Sequence, residues 1–287
     1  MENPEFRRAT VAVGDLSLEY ARAGSGHQVA ICLHGFGREA ADFSAFLPIL
    51  DADTTLIAVN LFFHGRSNFP QNRLSKLPLE PEEWCNLIRA LCDAVGCSRF
   101  HLVGYSMGGR LAMVMVEHMP EQIDSLTLLA PDGLKINVLY RFVSETKLGR
   151  MLYRSIIRNP NWILRTADAL KWLRILHQNI HRFVYLQLET QANRQRVYNV
   201  WLTHRKLFPN LQRVASNAEN RNIPCVLLFG RHDAIIPPYL AHNLMKHFRT
   251  KPKLILPDAG HRLINKETVE LLSAERLGWI RSRQGRH

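Results

Sequence analysis

The run Val103-Gly104-Tyr105-Ser106-Met107-Gly108-Gly109 constrains this chain more than any other stretch. Phe100 to Val103 before it is a short apolar run, the pattern of a buried strand, and Leu111, Ala112, Val114 and Met115 after it recur at helical spacing. A G-x-S-x-G pentapeptide between strand and helix is the pattern of a nucleophile elbow. The demand is steric. The serine sits at the apex of a turn so tight that its backbone is strained, with its hydroxyl above the sheet edge. The positions two before and two after it must be nearly free of side chain, or strand and helix collide. Gly104 and Gly108 meet that demand, and Gly109 lets the helix lie close to the sheet. A Gly-rich turn with an incidental serine has the same letters, so the rest of the chain must supply a base, an acid and an oxyanion site.

The remaining sequence has an α/β rhythm. Gly14-Asp15 marks a hairpin turn between strands at Val11–Val13 and Leu16–Arg22. Val29 to Leu33 is continuously apolar, as in a strand buried on both faces, and leads to His34-Gly35-Phe36-Gly37 and a helix containing Phe43, Phe46 and Leu47. Thr54 to Val59 is a further strand, and Pro81 to Val95 an amphipathic helix with proline suited to its first turn. Beyond the elbow, Ile123 to Leu129 reads as a strand ending in Ala130-Pro131-Asp132-Gly133. From there to Asn222 only helical spacings occur, and the strand–helix alternation resumes at Pro224. The expected organisation is an α/β core from 1–133 and 223–287 with a helical cap inserted over 134–222. Strands alternating with helices imply a mostly parallel sheet, whose reactive edge lies at the carboxyl ends of its strands.

Every candidate residue falls at such an end. Ser106 needs a base and an orienting acid, and the order Ser106, Asp233, His261 is nucleophile, acid, base. Asp132, after the strand that follows the elbow, is the second candidate for the acid and otherwise a turn residue before Gly133. The oxyanion needs two fixed donors, expected from the amides of Met107 and Phe36. His34, Gly35, Tyr105 and Arg110 are candidates for the substrate pocket, with His34 also suited to a structural hydrogen-bonding role.

LHGFG, NLFFHGRS, GYSMGGR, GRHD and DAGH, in that order, resemble the signature segments of the α/β-hydrolase superfamily. The resemblance covers 1–133 and 223–287. It implies an eight-stranded-type sheet with helices on both faces, a helical cap, and a serine hydrolase that cleaves a carboxylic ester or related acyl bond through an acyl-enzyme. A C–C bond hydrolase, a menaquinone-pathway-synthase-like lyase and a catalytically silent binding protein are its alternatives. Relatives read D-x-P-G-x-G-x-S where this chain has Asn60-Leu61-Phe62-Phe63-His64-Gly65-Arg66-Ser67, so the two phenylalanines are expected to alter the pocket wall. GYSMGGR is also similar to the menaquinone-pathway synthase, in which the arginine after the elbow holds an anionic substrate. Arg110 occupies that position, but the acidic–basic cap motif of those synthases is missing.

Charge is confined. Of the net +12, all lies between Gly133 and Asn222, where 16 Lys/Arg face 4 Asp/Glu. The default reading is a solvated helical face. With Tyr140, Tyr153, Trp162, Trp172, Tyr185 and Trp201 interleaved, the segment also suits a cap core or contact with anionic membrane. The expected partner is a small-molecule acyl substrate, anionic or lipid-derived. No nucleic-acid module, cofactor motif or H-E-x-x-H metal pattern is present in the sequence, so none of these partners is expected. Five scattered cysteines and an acidic, polar start with no apolar run lead to the expectation of reduced thiols, no secretory leader and a cytoplasmic protein.

Overall fold

The computed structural model describes residues 6–280, apart from 176, 274, 276 and 278. Residues 1–5, on which the leader expectation rests, lie outside them. Eight strands form one sheet: β1 (Arg7–Val13), β2 (Leu16–Ala23), β3 (Gln28–Leu33), β4 (Thr54–Val59), β5 (Phe100–Tyr105), β6 (Ile123–Leu129), β7 (Cys225–Leu228) and β8 (Lys253–Ile255). Their spatial order is β1-β2-β4-β3-β5-β6-β7-β8. β1 and β2 pair antiparallel, as do β2 and β4, and every pair from β4 to β8 is parallel. The first pairing closes at Val13 opposite Leu16, so Gly14-Asp15 is a two-residue turn, with Gly14 at φ 60°. All six residues of β4 are buried, as the continuous apolar runs require of strands covered on both faces.

The helices are α1 (Pro81–Val95), α2 (Met107–His118), α3 (Val138–Glu145), α4 (Lys147–Arg158), α5 (Asn161–Trp172), α6 (Gln178–Leu188), α7 (Gln191–Thr203), α8 (Leu211–Asn220), α9 (Ala241–Met245) and α10 (Lys266–Ser273). α1 starts at a reciprocal Glu80–Glu83 capping box with Pro81 in the first turn, and Gly96 ends it in a left-handed conformation. Its buried stripe is Trp84, Leu87, Ile88 and Leu91, each worth about 1.5–3 kcal/mol once removed from water. The helix expected around Phe43 and Phe46 is a 3₁₀ helix over Ala40–Ile49. Its buried residues, Ala40, Phe43 and Phe46, recur every third position, which is the repeat of the tighter winding.

The chain divides into two compact units. The first comprises Met1–Phe69, Glu80–Lys135 and Leu207–His287, and contains the sheet. α8, within the stretch expected as insertion, packs on α2 and lies in this unit. There Asn217 donates to the carbonyls of Val116 and Glu117 at 3.1 and 3.0 Å.

The second unit, Pro70–Leu79 and Ile136–Lys206, is helical. Buried Arg205 joins its two pieces, donating to the carbonyls of Leu74 at 2.7 Å and Ser75 at 3.2 Å as well as to that of Leu202. α7 forms its core. Tyr153 stacks on Tyr198 at 5.4 Å, and Tyr140 and Trp201 pack beside them. Trp162 and Trp172 stand exposed, so the interleaved aromatics divide between core and surface. The five cysteines form no disulfide.

Candidate active site

Ser106 lies between β5 and α2 at φ 51°, ψ −116°, a strained left-handed conformation for a residue with a side chain. Backbone bonds hold it there. Its amide donates to Leu129, and its carbonyl accepts from Gly109 and Asp132, each at 2.9 Å. The flanking glycines are required by contact rather than by torsion. A Cβ on Gly104 would come within 2.6 Å of the Gly109 Cα, and one on Gly109 within 2.5 Å of the Pro131 side chain.

Ser106 Oγ lies 3.1 Å from His261 Nε2, and His261 Nδ1 lies 2.7 Å from Asp233 Oδ2. The three residues follow β5, β7 and β8, with His261 lying 155 positions from Ser106 and 28 from Asp233. Asp233 is 4% exposed, and its second oxygen, Oδ1, accepts the amides of Ile235 and Ile236 at 2.8 and 2.9 Å. Both carboxylate oxygens are thus fixed, and an imidazole that donates Nδ1–H to Asp233 keeps Nε2 as an acceptor facing the serine. The GRHD and DAGH segments are tied together by backbone bonds, Arg231 to Pro257 and His232 to Ala259, both 2.9 Å. These bonds bring Asp233 and His261 to one place.

The second candidate for the acid is engaged elsewhere. Asp132 Oδ1 accepts the Gly133 amide at 2.7 Å, and Oδ2 lies 3.3 Å from Arg110 Nη1. Arg110 itself is 2% exposed, with its guanidinium 4.7 Å from the Phe208 ring centre. It stands inside the fold, paired with Asp132.

The amides of Met107 and Phe36 make no hydrogen bond among the described residues. The Met107 amide is the first of α2, where unpaired donors and the helix dipole favour an anion. Gly35 brings the Phe36 loop close. A Cβ there would lie 2.9 Å from the Tyr105 ring and 3.0 Å from Ser106 Cβ. His34, proposed from sequence as a pocket residue, is fully buried. Its Nε2 accepts the Leu61 amide at 3.0 Å, and Nδ1 lies 2.7 Å from the Gly35 carbonyl, so it fastens the loop.

Sequence reasoning missed a second layer. Tyr105, the last residue of β5 and a pocket candidate on sequence, instead donates its hydroxyl to the His261 carbonyl at 2.8 Å. His64 Nε2 accepts the Gly37 amide at 3.0 Å. Buried Glu19 accepts from Asn60 Nδ2 at 2.7 Å and from the Arg66 amide at 2.9 Å, holding the NLFFHGRS loop. In that loop Phe62 is fully buried against Phe69 at 5.4 Å, a core contact where a pocket wall was expected. Phe63 takes φ 66° at the position where the resembled motif has glycine. Among the described residues no cluster of His, Cys, Asp and Glu could hold a metal ion, and no helix is long and apolar enough to cross a membrane.

The family model for the alpha/beta hydrolase fold matches residues 29–265. The chain is 27% identical to the dihydrolipoyllysine-residue acetyltransferase component of the acetoin cleaving system of Pseudomonas putida, over 98% of this chain and 70% of that one. It is 23% identical to monoacylglycerol lipase ABHD6 of Bos taurus, over 88% and 76%. To a 2-hydroxy-6-oxononadienedioate/2-hydroxy-6-oxononatrienedioate hydrolase of Paraburkholderia xenovorans it is 23% identical, over 90% and 88%. The crystal structure of a membrane phospholipase A superposes with a TM-score of 0.65 at 21% identity, covering 94% of this chain and 85% of that one.

Proposed function

The chain belongs to the α/β-hydrolase fold family, and we propose that within it the protein is a serine hydrolase whose triad is Ser106, His261 and Asp233. The observation that carries this reading is the unbroken relay of 3.1 Å from Ser106 Oγ to His261 Nε2 and 2.7 Å from His261 Nδ1 to Asp233. In the proposed reaction Oγ attacks a carbonyl carbon while its proton passes to Nε2. The resulting oxyanion accepts from the Met107 and Phe36 amides. Collapse expels the leaving group, which takes the proton from His261 and leaves an acyl-enzyme. Water, deprotonated by the same imidazole, then releases the acid.

Two leaving groups suit this machinery. A carbon leaving group departs when the substrate itself can hold the electron pair as an enol, and the likeness to the Paraburkholderia hydrolase, along nearly all of both chains, supports that reading first. An oxygen leaving group needs no such help, and the likeness to monoacylglycerol lipase supports the ester reading.

One pair of assays separates them. Purified protein is offered a vinylogous 1,5-diketo acid and a series of p-nitrophenyl esters graded in chain length, after rapid labelling by a fluorophosphonate has established that the serine is activated. Turnover of the diketo acid with esters cleaved at least about a hundredfold more slowly in kcat/KM, some 2.7 kcal/mol in transition-state stabilisation, assigns carbon–carbon cleavage, and the reverse assigns ester hydrolysis. Absence of both turnover and labelling overturns the serine hydrolase reading.

A further inference from the structure

We propose that the outward faces of α3, α4 and α5 form a docking surface for an anionic lipid bilayer. Twelve of the sixteen large apolar side chains that stand exposed among the described residues belong to the helical unit, which holds less than a third of the chain. In α4 the inward side is Gly149, Tyr153 and Ile157, one every fourth position. Leu148, Met151 and Leu152 occupy the opposite side and are 53%, 60% and 41% exposed. α3 adds Val138 and Leu139, and the end of α5 adds Trp172 and Leu173. α4 packs on both of these helices, and α3 and α4 both pack on α7, so the apolar faces lie on the side turned away from the core of the unit.

The same layer is basic. Thirteen Lys/Arg face three Asp/Glu between Ile136 and Lys206. Lys147, Arg154, Arg158, Arg165 and Lys171 are exposed on α4 and α5. The acids of these helices are engaged: Glu145 pairs with Arg141 at 3.0 Å, and Asp168 accepts from Tyr185 at 2.6 Å with His181 Nε2 at 2.8 Å. Exposed apolar side chains, lysine, arginine and tryptophan on the same helices match the interface of a bilayer whose headgroups are negative. A second copy of this chain is a poorer occupant, because a two-fold contact sets each basic face against itself. The proposal is independent of which bond the active site cleaves.

The test uses full-length protein carrying Ser106→Ala, so that lipid hydrolysis cannot confound the reading. It is sedimented with vesicles of phosphatidylcholine and phosphatidylglycerol in equal parts, and with phosphatidylcholine alone. At about 0.1 M salt the protein should pellet with the anionic vesicles only, and at about 1 M, where the Debye length is near 3 Å, it should return to the supernatant. Adding Leu148→Ser, Met151→Ser and Leu152→Ser should lower the partition coefficient at least about tenfold. Their exposure means the unfolding midpoint should stay the same, which a thermal melt checks. The proposal is overturned if no pelleting occurs with anionic vesicles at low salt, or if the triple change leaves it unaltered. It is also overturned if sedimentation velocity shows a dimer that the triple change abolishes. None of these outcomes touches the hydrolase reading, because binding alone is measured.

Discussion

Tyr105 and His261 are joined by a 2.8 Å hydrogen bond from phenol hydroxyl to backbone carbonyl, with their rings 5.3 Å apart. The residue before the proposed nucleophile thus holds the loop that carries the proposed base, across 156 positions of sequence. Burial raises the phenol pKa, so Tyr105 remains a neutral donor throughout the working range. Tyr105→Phe keeps the ring and deletes the bond. A net hydrogen bond of about 1 kcal/mol corresponds to roughly a fivefold change, so kcat should fall about three- to tenfold with KM nearly unchanged. Steady-state kinetics on the best substrate measures this, and an equal change in KM would assign Tyr105 to substrate binding.

Ser106 sits at φ 51°, where glycine is at ease and serine is not. Ser106→Gly should therefore abolish turnover, a loss on the order of 10⁴–10⁶ in kcat, while the fold is kept or gains about 1 kcal/mol from the released strain. Chemical denaturation beside Ser106→Ala, which retains the strain, gives the comparison. A glycine variant clearly less stable than the alanine variant would place the strain elsewhere.

The two aspartates should separate by kind of effect. Asp233→Asn offers an amide hydrogen to His261 Nδ1 and so favours the wrong tautomer, with a kcat loss on the order of 10⁴. Asp132→Asn instead weakens the pairing of a buried guanidinium, because Arg110 lies 3.3 Å from Oδ2. Its cost should be read in stability, on the order of 1–3 kcal/mol, with kcat per folded molecule little changed. Equal kinetic losses from both would mean that the acid is misassigned.

Glu19 gives a pH dependence with a definite sign. Burial pushes its carboxyl up, but the Arg66 amide, the Asn60 side chain and the guanidinium groups of Arg8 and Arg66 outweigh this and hold it below the usual 4.5. A carboxyl depressed in the folded state binds its proton more readily when unfolded, so its stabilisation is present above pH 4.5 and is lost as pH falls through the folded value. Thermal melts across pH 3 to 7 should show Glu19→Gln less stable than the parent at neutral pH, with the gap closing in acid. A gap that stays constant would assign the effect to packing alone.

The elbow turn and the buried parallel strands were legible in the linear chain, because each follows from local rules. A turn too tight for a Cβ demands glycine at fixed offsets, and strands covered on both faces demand unbroken apolar runs. What the linear chain left open were matters of distance between residues far apart in sequence. Asp132 and Asp233 each follow a strand, and only the folding of the GRHD segment against the DAGH segment turns one of them to His261 and leaves the other to Arg110. Arg110 and His34 were pocket candidates on sequence, His34 also a candidate for a structural role, and tertiary packing buries both, Arg110 beside Asp132 and His34 against the Leu61 amide. The same holds for the basic helical stretch. Its charge was countable from the sequence, but its exposed apolar faces appear only once α7 has taken Tyr153, Tyr198 and Trp201 into the core and turned Leu148, Met151 and Leu152 outward. Local sterics and periodicity are written in neighbouring residues; which polar group meets which, and which apolar face is left over, depends on close packing between segments that the sequence holds apart.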